Sequence, residues 1–371
     1  MPASKWSAEH AAHLLERAGF GGSAAQVSEL KTLGHERAVN RLVYFEGVNA
    51  QWQFPFEHSG IFDEGLDPFP SSRPATTKLA KDTGQALGIK VKSSGNRPIQ
   101  PVVNKFFYWL RASRLETDRV SYWWANRMLT SPLPLQEKMA LFWHGHFATN
   151  EDKVRDYRKM LKQLQLFQSA GLGDFRTLLV GVAQDPAMLT FLDARFNVAG
   201  SPNENFAREI MELFTMGVGN YQEQDVREAA RAFTGWDYSG LEFQVSPGLH
   251  DASKKTFLGH TGHYDGVDII DIILQQSVTS EYIAAKIYRY FVREELSSEL
   301  QVDLGRRFRA LDYDIAAYLE MLFLSKDFYS SASVGTRIKS PVELVISTYH
   351  KAGLVVVPGV PDFNLATAAL G

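Results

Sequence analysis

Apolar residues recur three and four positions apart along most of the chain, which is the spacing of one face of an α-helix. In the first such stretch Ala11, Leu14 and Ala18 follow Ser7, a residue type that favours helix N-termini, and precede Gly19, which favours helix ends. The same periodicity predicts further helices near residues 24–33, 36–44, 104–131, 135–147, 153–167, 174–183, 202–216, 225–233, 265–274, 280–292 and 314–324, and a last one that begins near 341.

Strand-like patterns are sparse. Only 241–245 and 354–357 alternate or cluster apolar residues in the manner of a β-strand. No segment repeats at the period of a solenoid protein. The pattern therefore predicts an all-α fold, a multi-helical globular bundle with at most a small β-hairpin.

One long segment interrupts the helical pattern. Residues 45–101 are punctuated by Pro, Gly and Ser, with no Lys or Arg up to residue 70 and mainly basic charges after it. We interpret this segment as a loop-rich insertion whose two halves attract each other, and long loops of this kind are often functional. The rest is interpreted as a single large helical domain, so that one domain spans residues 1–371.

Composition and charge exclude several classes of protein. The formal net charge is −3, whereas nucleic-acid-binding domains are usually strongly basic, so no nucleic-acid partner is expected. The chain contains no Cys, which excludes disulfides, iron–sulfur clusters and thiol nucleophiles. No window holds the ~18 apolar residues of a membrane span. No signal-peptide stretch precedes the first helix, so the chain as it stands is expected to be cytoplasmic.

A first candidate site is the histidine pair in FWHGHFATN, residues 142–150. On a regular helix His144 and His146 point ~200° apart, so they chelate a metal ion only where the helix ends. Gly145 between them weakens the helix, which allows that ending. The alternative is that His146 continues the apolar stripe of Met139 and Phe142 while His144 faces solvent.

A second candidate site is the charged segment 201–221. Ser201 followed by Pro202 and Glu204 has the form of a capping box, which predicts a structural task for Glu204. Arg208 and the nearby carboxylates have the spacing of an exposed ladder of ion pairs. The functional alternative is a cleft in which Arg208 orients three carboxylates for acid–base chemistry or for a divalent cation, namely those of Glu204, Glu209 and Glu212.

A third candidate site is the polar, Gly-rich segment 248–266, which is expected to be irregular. It contains the adjacent pair His250 and Asp251, with His260 and His263 further along. Loops carry function more often than cores do. The alternative is a solvated loop with scattered histidines.

Six blocks in order along the chain resemble the bacterial family catalogued as domain of unknown function 1800. The most specific are WHGHF at 143–147 and NENFARE at 203–209, and IAAKIYRYFV at 283–292 is another block. The resemblance implies a bacterial protein whose relatives are often exported and often encoded beside a sulfatase-like partner protein. It implies no established activity. Similar proteins continue past the KSPVE block into a further segment, which predicts that this chain lacks the family's C-terminal part.

These observations leave three hypotheses open. The first is a metal-assisted hydrolase acting on an ester, an anionic glycan or a phosphoester, with Glu204, Arg208 and Glu209 as catalytic residues. Its divalent metal ion (zinc, manganese or iron) would be held by a mixed shell of nitrogen and oxygen ligands from His144, His146, Glu212, His250 and Asp251. The second is a non-catalytic helical scaffold or binding module that works with a partner protein. The third is a metal-free glycosidase with Glu204 and Asp251 as its paired carboxylates.

Overall fold

The computed structural model describes residues 6–48, 55–60, 100–359 and 362–370, with the backbone alone given for 100–107. This part of the chain confirms the predicted all-α class. Its helices are α1 (Ala8–Ala18), α2 (Ala24–Leu33), α3 (His35–Val43), α4 (Gln100–Thr130), α5 (Pro134–His146), α6 (Glu151–Val154), α7 (Tyr157–Ala170), α8 (Phe175–Ala183), α9 (Pro186–Phe191), α10 (Asn205–Met211), α11 (Glu223–Ala232), α12 (Gly266–Gln275), α13 (Ser277–Phe291), α14 (Ser298–Ala310), α15 (Ile315–Leu324), α16 (Pro341–Lys351) and α17 (Phe363–Ala369).

Aromatic side chains dominate the core that supports the end of α5. Trp143 is fully buried, stacks on Phe147 and Phe175, and donates from its indole nitrogen to the backbone oxygen of Gly171 at 2.8 Å. Trp109 of α4 is also buried. This packing sets the position of α5 and therefore of the two histidines at its end.

The starts of α1 and α10 are stabilised in different ways. His10 completes a capping box with Ser7, because its ring nitrogen Nδ1 accepts from the Ser7 backbone at 3.3 Å and so takes the place of the Glu or Gln usual in such a box. The predicted capping box at Ser201 is wrong: α10 begins only at Asn205, and Glu204 precedes it without a side-chain cap. The side chain of Glu204 binds arginines instead, which satisfies its charge better than one backbone amide.

Two small antiparallel hairpins follow α11 in the chain. The expected strand near 241–245 is confirmed as β2 (Glu242–Val245), which pairs with β1 (Trp236–Ser239). Segment 248–266, expected to be irregular, contains a second hairpin of β3 (Lys255–Phe257) and β4 (His260–Gly262). The expectation of a strand at 354–357 is wrong, since these residues form bends and coil.

Most of the insertion predicted at 45–101 lies outside the described residues. Of its described residues, those at 55–60 lie against α4 and α7. His58 meets the hydroxyl of Tyr157 at 2.7 Å, and Arg119 donates to the backbone oxygen of Glu57 at 2.8 Å. These contacts attach the segment to the helical body by polar side chains. Among the described helices, none combines the length and the apolar composition that a membrane span requires.

Candidate functional site

A cleft of about 820 Å³ opens where the C-terminal end of α5 meets α13 and the segment that precedes α16. We call it the cationic cleft. Its lining includes His144 and His146 from α5, Lys286 and Arg289 from α13, and Arg337. Its volume lies in the range of known small-molecule sites.

His146 has both ring nitrogens engaged. Nε2 lies 3.1 Å from the backbone oxygen of Phe214, and Nδ1 lies 3.4 Å from Nζ of Lys286. Because a carbonyl oxygen only accepts, Nε2 carries the proton and Nδ1 accepts from the ammonium group. Burial, together with the charge of Lys286, lowers the pKa of His146 to about 3. His146 is therefore neutral. The lone pair on its Nδ1 points at the Lys286 ammonium group and so is not directed at a site for a metal ion.

His144 is partly exposed and lies between the cleft and the ring of Trp124, with ring centroids 5.5 Å apart. It makes no hydrogen bond with another residue in the described part of the chain. Burial lowers the pKa of its ring below the ordinary histidine value, so it is neutral at pH 7. One of its nitrogens can therefore donate to a ligand and the other can accept.

Lys286 and Arg289 are the cations that sequence reasoning missed. They are three residues apart on α13, which places them on one face of the helix. Neither forms an ion pair with another described residue. Among the described residues, the only carboxylate that lines the cleft is that of Glu294. The spacing of lysine and arginine in the IAAKIYRYF segment was the signal that could have identified this cationic face.

Arg337, the third cation, belongs to a buried ion cluster. Glu343 is 2% exposed, accepts from Arg337 at 2.6 and 3.1 Å and pairs with Lys138, which is also 2% exposed. Glu343 also accepts from the backbone nitrogen of Ser340 at 2.9 Å and so caps α16. The Arg337 guanidinium lies 4.0 Å from the centre of the Tyr290 ring. The cluster thus joins α5, α13 and α16 behind the cleft.

The charged segment around α10 does not line the cationic cleft and lies on the surface instead. Arg208 binds Glu204 at 3.1 Å, and its second partner is Glu223 of α11 at 2.7 Å rather than the expected Glu212. Glu212 instead accepts from the hydroxyl of Tyr221. Both carboxylates that bind Arg208 are partly exposed, so this arrangement matches a surface ion network.

Glu209 forms neither an ion pair nor a side-chain hydrogen bond with another described residue. It is half-buried, and burial together with the neighbouring charge of Glu212 raises its pKa above the ordinary value. It does not line the cationic cleft among the described residues. The structure therefore does not bring Glu209 together with His144 or His146.

His250 and Asp251 attach the second hairpin to α11. Nδ1 of His250 donates to the backbone oxygen of Thr234 at 2.9 Å, and the Thr234 hydroxyl accepts from the backbone nitrogen of Asp251 at 2.7 Å. Asp251 also accepts from Nε of Arg231 at 2.8 Å. Burial would raise the pKa of Asp251, but Arg231 and Ser253 outweigh it and hold that pKa well below its usual range. These contacts are sufficient to explain both residues structurally.

The predicted metal shell is therefore not assembled in the described part of the chain. His144 and His146 line the cationic cleft, whereas Glu212, His250 and Asp251 have partners elsewhere. No group of three or more His, Asp or Glu side chains among residues 6–48, 55–60, 100–359 and 362–370 is placed to hold a metal ion. The physical reason is competition, because nearby arginines, backbone carbonyls and Lys286 occupy the donor atoms that a metal would need.

Fold and site together define an all-helical protein with a cationic cleft at the junction of three helices. The chain belongs to the family described as "Protein of unknown function (DUF1800)", whose sequence model matches residues 13–369 of the 371. The resemblance found in the sequence is thereby confirmed. No curated protein and no solved structure matches the chain.

Proposed function

We propose that the chain binds an anionic group, such as a phosphate, a sulfate or a carboxylate, in the cationic cleft and acts as a helical binding module. One observation carries this proposal: Lys286 and Arg289 line a cleft of ligand size without an ion-pair partner among the described residues. By contrast, Arg208 and Arg231 each bind two carboxylates.

The electrostatics of the cleft favour an anion. Lys286 and Arg289 repel each other on one helix face, and an anion between them relieves that repulsion. A unit charge ~4 Å from one cation gains ~4 kcal/mol at the effective dielectric constant of a protein surface region. Arg337 adds to the positive field, although Glu343 neutralises part of its charge.

The neighbouring histidines support the same function. Nδ1 of His146 accepts one proton of the Lys286 ammonium, which orients that group and leaves its other two protons for a ligand. His144 also lines the cleft, is neutral, and makes no hydrogen bond with another described residue. The site therefore combines fixed positive charge with a neutral group that donates or accepts a hydrogen bond.

Metal-assisted hydrolysis is the second candidate function. In its favour, His144 and His146 line the same cleft. Against it, the lone pair of His146 faces Lys286, and the catalytic residues expected at Glu204, Arg208 and Glu209 do not line this cleft. We therefore place binding ahead of hydrolysis. A sulfatase-like partner protein stays a prediction from the family resemblance.

Titration of the purified chain with inorganic phosphate and with sulfate, measured by calorimetry at low salt, is expected to show saturable binding at one equivalent. Lys286→Gln and Arg289→Gln are each expected to weaken the binding by about tenfold or more, since a hydrogen bond to a charged group contributes ~1.5–3 kcal/mol. Lys254→Gln, at an exposed position on another surface, is the matched control and is expected to bind normally.

Two results would overturn the proposal. One is the absence of saturable binding for both anions, and the other is equal weakening by Lys254→Gln. Elemental analysis of the same samples addresses the alternative. One equivalent of a transition metal that is lost in the His144→Ala/His146→Ala double variant would favour metal-assisted hydrolysis.

A further inference from the structure

A second cavity adjoins the cationic cleft. It has a volume of about 360 Å³ and is lined by residues of α4, α5, α6, α7, α16 and α17. Leu141, His144 and Val342 line both this cavity, which is itself partly open to solvent, and the cleft, so these three side chains lie where the two spaces adjoin. We call this second space the inner cavity.

The inner cavity differs from the cleft in its chemistry. Its lining contains Val120, Trp124, Met160, Leu164 and Phe363, together with hydroxyl and amide groups. It contains no Lys or Arg among the described residues. An anion therefore finds no counter-charge inside it, whereas an apolar group leaves water for apolar contacts there.

Glu151 is the only carboxylate in the described lining of the inner cavity. One of its oxygens is buried without a hydrogen-bond partner, and burial raises its pKa to about 7. Burial thus disfavours its charged form, and whatever negative charge it carries repels an anion, which adds to the contrast with the cleft.

We infer that the ligand is an amphiphilic anion, whose charged end binds in the cationic cleft and whose apolar end passes His144 and fills the inner cavity. This inference rests on the proposed function of the cleft. The cavity has room for roughly ten carbon-sized groups at ~30 Å³ for each water-sized volume.

The side chain of His144 is the part that has to move. No hydrogen bond to a described residue holds the imidazole in its present rotamer. Its ring packs against Trp124, at an angle of 49° between the planes. On the proposed path, rotation of this one side chain costs no hydrogen bond to a described residue and lets the apolar end pass between Leu141 and Val342.

A series of alkyl phosphates tests the inference. Calorimetric titrations use inorganic phosphate, monobutyl phosphate and monooctyl phosphate, the last below its micelle concentration. Burial of each methylene is expected to tighten binding about threefold to fourfold, so monooctyl phosphate should bind about 100-fold more tightly than monobutyl phosphate. Equal affinities for the two esters, beside normal binding of phosphate, would overturn the inference and leave the proposed function intact. If phosphate itself does not bind, the proposed function fails first.

Two variants test whether the apolar end of the ligand occupies the inner cavity. Met160→Trp and Thr367→Phe place larger side chains at the inner cavity and are each expected to abolish the gain from the octyl chain while phosphate binds as before. Met321→Trp, in a separate surface depression, is the matched control and should keep the full gain. Thermal unfolding shows which variants are folded, and two blocking variants keep the test valid if one of them is not. A full octyl gain in either folded blocking variant would overturn the placement.

Discussion

Replacing Glu343 with alanine is expected to lower the free energy of unfolding by about 3–5 kcal/mol, the usual cost of removing one partner from a buried ion pair. Lys138 and Glu343 are both 2% exposed, so water cannot replace the lost carboxylate around the Lys138 ammonium. Arg337 loses its bidentate partner at the same time. The α16 cap formed with Ser340 is also broken. Urea unfolding at pH 7 measures the change.

The direction of the pKa shifts agrees with this expectation. Burial lowers the pKa of Lys138, which shows that its ammonium group has lost contact with water and depends on its carboxylate partner. Burial alone would raise the pKa of Glu343, but Lys138 and Arg337 outweigh it and hold that pKa well below the ordinary value. Both shifts identify a compensated pair rather than two isolated charges.

Two control variants show whether the loss of stability comes from the burial of the ion pair or from removing a charged group as such. Glu29→Ala removes the carboxylate that pairs with Arg41, and the Glu29 side chain is 51% exposed. This change is expected to lower the free energy of unfolding by only ~0–1 kcal/mol. The double variant Lys138→Met/Glu343→Ala removes both buried charges and should recover part of the stability lost in Glu343→Ala. A loss below ~1 kcal/mol in Glu343→Ala itself would contradict the structural role assigned to the cluster.

Replacing His146 with glutamine is expected to make the unfolding free energy much less sensitive to acid. The folded pKa of His146 is about 3, whereas an unfolded histidine titrates at 6.5. As pH falls below 6.5 the unfolded state takes up a proton that the folded state does not, so the imidazole reduces stability by ~1.4 kcal/mol for each pH unit down to its folded pKa. Glutamine can donate to the Phe214 oxygen and accept from Lys286, so it keeps both contacts without titrating.

Other buried titratable groups also make the unfolding free energy depend on pH. Comparing the variant with wild type separates the contribution of His146 from theirs. His13, whose pKa burial lowers to about 4, acts in the same direction. Asp185 acts in the opposite direction, because burial raises its pKa to about 7 and acid then favours the folded state. His13 and Asp185 are present in both the wild type and the His146→Gln variant. The difference in unfolding free energy between the two proteins therefore reports on position 146. Relative to wild type, His146→Gln should gain ~2 kcal/mol between pH 7 and pH 5.

Urea unfolding at several pH values measures the difference, with His260→Gln at an exposed hairpin position as the matched control. The control is expected to keep the wild-type slope. A constant difference between wild type and His146→Gln from pH 7 to pH 5 would contradict a buried, neutral His146.

The candidate site was only partly predictable from the sequence. The histidine pair was identified by its spacing, and both rings line the cleft. The charged residues around Arg208 were interpreted from spacing within one helix, which could not show that Glu223 lies closer than Glu212. The spacing of Lys286 and Arg289 places them on one helix face, but only the fold shows that neither has an ion-pair partner among the described residues.

The sequence by itself determined the helical class, most helix positions and the family, because apolar periodicity, caps and motifs act between residues close in the chain. Only the tertiary structure decided which polar groups meet. Lys138 and Glu343 are separated by 205 positions in the chain, and Lys286 and His146 by 140. Helix packing brings such pairs together, and packing depends on the combined shape of many side chains rather than on any local pattern.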